Sequence, residues 1–413
     1  MRSFAARESV QMKITAIETI SLGEYPNILW VQVHTDRGHI GLGETFYAVA
    51  PVAAHIHETC APYLLGKDPL RIDAHSRRFL DTYLGFNSVG VEMRAASALD
   101  IALWDLFGQV TGQPVYQLLG GASRDNVRVY NTCAGYQYVR SKPVQGTANF
   151  GLPARGKKKR PYEDLAAFKS DAGALAESLL EMGITGMKIW PFDEAAEATN
   201  GTDISKAELK KALRPFEQIR KAVGDRMDIH VEFHSMWQLP AAIRIAKALE
   251  PFDPYWYEDP VKMSNLDALA DYARRTDVWV TASETLATRW GFRPLFEKQA
   301  VSVCMLDVGW AGGLSEAKKI AAMAEAYHLP VAPHDCTGPV LLTASVHLSM
   351  NCPNTLVQEI VRAFYYDWYG TLVTELPPIK NGYITAPPGP GLGTKLQPAV
   401  LKRKDIVRRV SRG

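Results

Sequence analysis

The sequence predicts an α/β architecture: a modified (β/α)8 (TIM) barrel with an α+β capping domain that the C-terminal segment completes. Three observations carry this. First, short apolar runs that read as buried strands end in Glu232 (DIHVEFH), Glu258 (YWYEDP) and Glu284 (VWVTASET), at two equal intervals of 26 residues. Second, helix-like segments at 239–249 and 266–275 lie between these carboxylates, so each interval holds one strand, one helix and two turns, which is a βα unit. Third, the chain opens with strands followed by helices and no βα alternation, the mark of a separate α+β layer. A length of 413 residues accommodates a barrel of ~250 residues and a second domain. The expected boundaries are 1–125 for the cap, with 1–11 as a loose extension, 126–365 for the barrel, and 366–413 for a segment returning to the cap.

The cap begins as a meander. KITAIETISL and NILWVQVHT alternate like strands, Asp36-Arg37-Gly38 turns, and HIGLGET resumes. Helical patterns follow at 52–64 and 91–110. The stretches 23–27 and 44–52 are polar and aromatic, and read as loops able to close over the barrel mouth or as ordinary turns.

NVRVYNTC (126–133) is the first barrel strand. The segment 134–160 then carries Gly146, Gly151, Pro153, Gly156 and the cluster Lys157-Lys158-Lys159-Arg160. A stretch of that length without structure is expected to be a lid ordering over substrate, and its basic cluster a solvated loop. The first barrel helix is expected at 165–182, the second strand at GMKIW (186–190) with Lys188 near its end, an insertion at 191–204, and a helix at 206–223. VCMLDV (303–308), LPVAPHD (329–335) and TLVQE (355–359) complete eight strands. The proline-rich tail is read as irregular, and the basic LKRKDIVRRVSRG as a frayed terminus.

If each Glu stands at the C-terminal end of its strand, Glu232, Glu258 and Glu284 converge at the barrel mouth, where active sites of this architecture are built. Three carboxylates without a cysteine suit a hard divalent cation, Mg²⁺. Asp307 and His334 close neighbouring strands about 5 Å apart, placing them as a dyad in which the carboxylate fixes the imidazole tautomer. His234, two residues after Glu232, is expected on the same side of its strand, as a second base, a leaving-group acid or a fourth metal ligand.

Composition excludes little but points the same way. With 47% apolar and 22% charged residues and a formal net charge of +2, the chain reads as a soluble globular protein with no case for a polyanion partner, so neither nucleic acid nor membrane is expected. Five widely spaced cysteines form no CxxC pair, which argues against a disulfide framework or a zinc site and for a reducing cytoplasm. No run reaches the ~18 apolar residues of a membrane span, and the start lacks a signal-peptide core.

The set Glu232, Glu258 within EDP, Glu284 within SET, Asp307, His334 and Glu359, together with ALWDLFGQVTGQPVYQLLGG (102–121), resembles the mandelate racemase subgroup of the enolase superfamily. The resemblance implies Mg²⁺ held by the three glutamates, His334 as base supported by Asp307, and Glu359 beside the substrate carboxylate. Racemases of this subgroup carry Lys-x-Lys on the second strand; here Lys188-Ile189-Trp190 stands, and Trp190 cannot abstract a proton. His234 instead matches the galactonate-type acid-sugar dehydratases. The implied activity is dehydration of a sugar acid, an aldonate or aldarate, to a 2-keto-3-deoxy acid by a homo-oligomer, dimer or octamer. Epimerisation, racemisation and lactone cycloisomerisation are the competing reactions, and a non-catalytic binding protein is the remote one. Stereochemistry would be read by cap loops and by side chains such as Tyr47, Trp237, Arg289 and Trp310.

Overall fold

The computed structural model describes residues 11–81, 89–140, 146–147 and 162–413. Two layers share one long chain path. The cap is a four-stranded antiparallel sheet of β1 (Ile14–Leu22), β2 (Tyr25–Thr35), β3 (Ile40–Phe46) and β13 (Ile406–Arg412), in the order β13-β1-β2-β3. Its inner face packs on the 21-residue helix Val91–Thr111. Gly41 and Gly43 make that approach possible, since a Cβ on either would overlap the backbone carbonyl of Ala102 or Ala98.

The barrel strands run parallel in chain order: β4 (Val127–Thr132), β5 (Gly186–Ile189), β6 (Asp228–Glu232), β7 (Trp256–Glu258), β8 (Trp279–Ala282) and β9 (Val303–Cys304). Single parallel bridges continue from Cys304 to Val331 and from Val331 to Thr355. The chain then enters β10 (Gln358–Ile360), which pairs with β4. Tyr130, Trp256, Val303, Met305, Ala332 and Val357 form one buried cluster from alternate strand positions.

Several expectations are corrected. The stretch 23–27 is mostly the start of β2, and 44–52 divides between β3 and the helix Val49–His55, so neither is a free loop. The first barrel helix is two, Asp164–Ser170 and Ala172–Leu180, because Asp171 leaves helical geometry and caps the second by accepting from Ala174 N. The insertion at 191–204 contains the helix Asp193–Thr199. The tail is ordered: β11 (Ile379–Lys380) and β12 (Tyr383–Ile384) pair, β12 joins β4, and the basic terminus is β13, paired with β1 from Leu22–Ile406 to Ala16–Arg412. Backbone pairing with β1 holds this basic segment as a strand, and Arg408 and Arg409 meet Glu18 and Glu58 beside it. Most of the expected lid, residues 141–145 and 148–160 with the basic cluster, lies outside the described residues.

The cap holds the barrel by buried carboxylates. Glu44 of β3 accepts from Trp30 Nε1 (2.6 Å) and from Leu341 N (3.0 Å) at the start of helix Pro339–Asn351. Asp100 accepts from Ser315 N (2.9 Å) and Ser315 Oγ (2.5 Å) at the start of helix Gly313–Ala326. These helices follow the segments that carry Asp307 and His334. Each cap carboxylate therefore meets unpaired N–H groups and the positive end of a helix dipole.

Candidate active site

Glu232 and Glu258 are register partners at the ends of β6 and β7, and Glu284 follows β8 two residues past its end. Their carboxylate oxygens lie within 4.8 Å of one another. In their midst is Lys188 of β5, with Nζ 2.5 Å from Glu258, 3.0 Å from Glu359 and 3.4 Å from Glu232. An ammonium gathered by three buried carboxylates shows that this pocket attracts positive charge, and its oxygen-only donors are those of a hard cation. Glu232, Glu258 and Glu284 thus fit a divalent ion. Glu232 is further oriented by Phe233 N (2.9 Å) and His234 N (2.6 Å), which donate to its Oε1.

Asp307 and His334 meet across β9 and the next segment, with Asp307 Oδ2 at 2.7 Å from His334 Nδ1. Asp307 is anchored by Gly309 N, which donates to its Oδ1 at 2.7 Å. The other ring nitrogen, Nε2, is paired with Glu284 Oε2 at 2.8 Å. The Trp310 ring packs against His334 with centroids 5.5 Å apart. Although β9 is only two residues long, parallel backbone hydrogen bonds continue past it, from Ala332 N to Cys304 O (3.0 Å) and from His334 N to Leu306 O (2.9 Å), and set the two residues side by side.

His234 does not continue β6. Its backbone is left-handed (φ +49°), so strand alternation is not what aims its side chain. Its Nδ1 is 2.7 Å from Asp193 Oδ2, and Trp190 packs edge-on at 5.7 Å. Thr132, Ala134, Tyr138, Lys188, Trp190, Glu232, His234, Glu284, His334 and Cys336 line one cavity. Both histidines and two of the three glutamates face the same space.

The charges are strongly coupled. Burial and the neighbouring Glu232 push Glu258 well above the ordinary carboxylate range. Burial opposes charge on Glu284, yet His334 holds it down at about 2. Burial likewise opposes charge on Lys188, but Glu258 and Glu359 hold it well above its usual value. His334 is raised well above the usual imidazole range because Glu284, Glu359 and Asp307 outweigh burial, and His234 is raised to about 10, against burial, by Asp193 and Glu232. Glu359 is held below its usual value by Lys188 despite burial. These directions describe the cluster without a cation; a divalent charge among the glutamates opposes those raised by their negative charge.

Glu359 accepts from Asp335 N (2.8 Å) and from the Thr132 hydroxyl. Of the side chains considered for stereochemistry, Tyr47 bonds Tyr138 hydroxyl to hydroxyl at 2.6 Å and stands near Trp310. Trp237 is fully buried, and Arg289 is paired with Glu316 at 2.9 Å, so neither faces the cavity. Thr132, Tyr138, Cys336 and Asp193 were not singled out by sequence. Thr132 and Cys336 stand at strand ends and could have been found by that position; Asp193 lies on an insertion with no periodicity to mark it.

A capping sheet laid over a parallel barrel, with three in-phase glutamates and a His–Asp pair at its mouth, defines an enzyme of the enolase superfamily. The chain belongs to its mandelate racemase and muconate lactonizing enzyme family: residues 5–120 match the N-terminal domain of that family and 171–400 the enolase C-terminal domain-like model. It is 32% identical to a D-galactonate dehydratase of Ralstonia pickettii, covering 94% of each chain. It is also 32% identical to a D-xylonate dehydratase of Haloferax volcanii, over 93% of this chain and 87% of the relative. A crystal structure of an enolase of the mandelate racemase subgroup from Agrobacterium tumefaciens superposes with a TM-score of 0.85 at 54% identity, covering 97% of this chain and 99% of the other. An enolase from Sargasso Sea environmental sequencing gives 0.86 at 43% identity, with 97% and 99% coverage. The chain is an enzyme of this superfamily, and these curated relatives are hydro-lyases. Among the described residues no helix is long and apolar enough to cross a membrane.

Proposed function

We propose that the protein is a Mg²⁺-dependent dehydratase of a sugar acid, an aldonate or aldarate. The observation that carries the reading is that two histidines, each bonded at Nδ1 to its own aspartate, line one cavity beside the glutamate cluster. Two separately positioned proton-transfer groups are what an elimination needs: one takes a proton from carbon and the other gives one to the departing oxygen.

Glu232, Glu258 and Glu284 would hold the ion. Bound there, the ion would supply positive charge that acidifies the proton α to the substrate carboxylate. His334 takes that proton at Nε2, since Asp307 engages Nδ1 and keeps the ring oriented. Lys188 presents an ammonium in the same cavity for the substrate carboxylate. His234 gives a proton to the 3-hydroxyl, which leaves as water, and the resulting enol tautomerises to a 2-keto-3-deoxy acid. Trp190 occupies the position where a second-strand lysine would serve two-base racemisation, and an indole offers no such base.

The reading includes a small anionic substrate, a homo-oligomer and a cytoplasmic setting, in keeping with five free cysteines. A library of mono- and diacid sugars, screened for 2-keto-3-deoxy product before and after exhaustive chelation, tests it. Product from at least one acid, lost on chelation and regained with Mg²⁺, is expected. Full turnover in the metal-free protein sinks the metal assignment; epimer or lactone products alone favour the competing reactions.

A further inference from the structure

We propose that Asp193 is the positioning residue of the His234 acid, a second carboxylate–imidazole dyad built on an element outside the metal-bearing strands. The inference rests on the dehydratase reading above. Asp193 opens the helix Asp193–Thr199, which follows β5, and its side chain is 3% exposed. A carboxylate at the start of a helix ordinarily caps it, but the N-cap here is Phe192 and no side-chain cap bond is made. Asp193 Oδ2 is bonded to His234 Nδ1, while the buried Oδ1 has no hydrogen-bond partner among the described residues. Leaving a buried carboxylate oxygen bare is unfavourable. Among the described residues, the side-chain hydrogen bond that Asp193 makes goes to the histidine.

His234 needs such a partner. Its left-handed backbone, continued at Ser235 (φ +54°), takes the ring out of strand alignment. Asp193 and Trp190, both from the connection after β5, bracket that ring by a hydrogen bond and an edge-on contact. Nδ1 is engaged by Asp193, and His234 lines the cavity. The 2.7 Å bond equals that of Asp307 to His334, but the two dyads differ in access. His334 is 6% exposed and His234 27%, which suits a base that reaches carbon inside the site and an acid that meets an oxygen nearer its rim.

The test compares three reactions of wild type, Asp193→Asn and Asp193→Glu with a sugar acid that the wild type dehydrates: loss of water, exchange of the α-proton with solvent deuterium, and loss of fluoride from the 3-deoxy-3-fluoro analogue. Fluoride departs with the C3–F bonding pair and needs no proton from His234, and its elimination yields the same enol and hence the same 2-keto-3-deoxy acid. Asp193→Asn is expected to lose water elimination by about 10²-fold while keeping exchange and fluoride release near wild type, and Asp193→Glu to recover much of the loss. Water elimination by Asp193→Asn at the wild-type rate overturns the proposal. So does a parallel fall of all three reactions in both variants, which marks a structural role. A wild type that exchanges the α-proton but dehydrates no acid overturns the dehydratase reading itself, and this inference with it.

Discussion

His334 contacts Glu284 and Asp307 whereas His234 contacts Glu232 and Asp193, so under the proposed mechanism their removal should separate two steps. His334→Asn should abolish both dehydration and α-proton exchange, because it removes the base that the proposed mechanism assigns to the α-proton. His234→Asn should lose dehydration by ~10²–10⁴-fold and keep exchange. Product formation and deuterium incorporation, followed in one NMR sample, check both; dehydration at the wild-type rate by His234→Asn moves the epimerase and cycloisomerase readings ahead. Lys188 carries a prediction of its own. Its ammonium compensates Glu232, Glu258 and Glu359 in the metal-free protein, and removing one member of such a buried group typically costs about 3–5 kcal/mol. Lys188→Met should therefore melt markedly lower than wild type in chelator, and the gap should narrow in Mg²⁺. An equal gap in both solutions would show that the ammonium is not the cluster's counterion. At this scale the three glutamates were legible because a strand–helix repeat puts them in phase. The Asp193 contact was not, since nothing in a sequence marks which insertion residue folds back onto a histidine.

At the scale of elements, β3 and the helix Val91–Thr111 meet through glycine. Gly43→Ala would drive a Cβ into the Ala98 carbonyl, a backbone atom in mid-helix that cannot swing away. The expected cost is about 1–3 kcal/mol, read as a lowered midpoint in thermal or urea unfolding; an unchanged midpoint would mean that the cap sheet shifts freely on its helix. Element existence was legible where periodicity was long, as for the helix Lys206–Val223 with its Ser205–Glu208 capping box. It was obscured where tertiary pairing overrides composition. The segment 401–413 is rich in lysine and arginine, yet residues 406–412 pair with β1, and Arg403, Arg408 and Arg409 meet Glu24, Glu18 and Glu58. The break at Asp171 was missed because the apolar pattern runs through it, while the Asp side chain turns to cap the next helix.

For the whole molecule, the seam between cap and barrel is set by Glu44 and Asp100. Burial, partly offset by the donors from Leu341 and Ser315, pushes Glu44 up to about 8 and Asp100 to about 7. Both lie above their unfolded values of about 4. The folded state then binds protons that the unfolded state has released, so the contribution of these groups to stability falls as pH rises from about 4 to about 8 and is level beyond. Melting curves of wild type and the double variant Glu44→Gln/Asp100→Asn between pH 5 and 9 should show wild type losing ground to the variant as pH rises; parallel curves would place the seam's pH response elsewhere. The two-layer architecture was legible from strand and helix order, but this seam was not, since it joins residues over 200 positions apart. The pairing of β13 with β1 has a consequence in time. On a ribosome that adds about 5–20 residues per second, the outer edge of β1 waits for about 380 residues of chain, roughly 20–80 s, before its partner strand exists. The barrel is thus fully translated while the sheet above it still has an open edge, and a nascent chain is most exposed to mispairing at β1 during that interval.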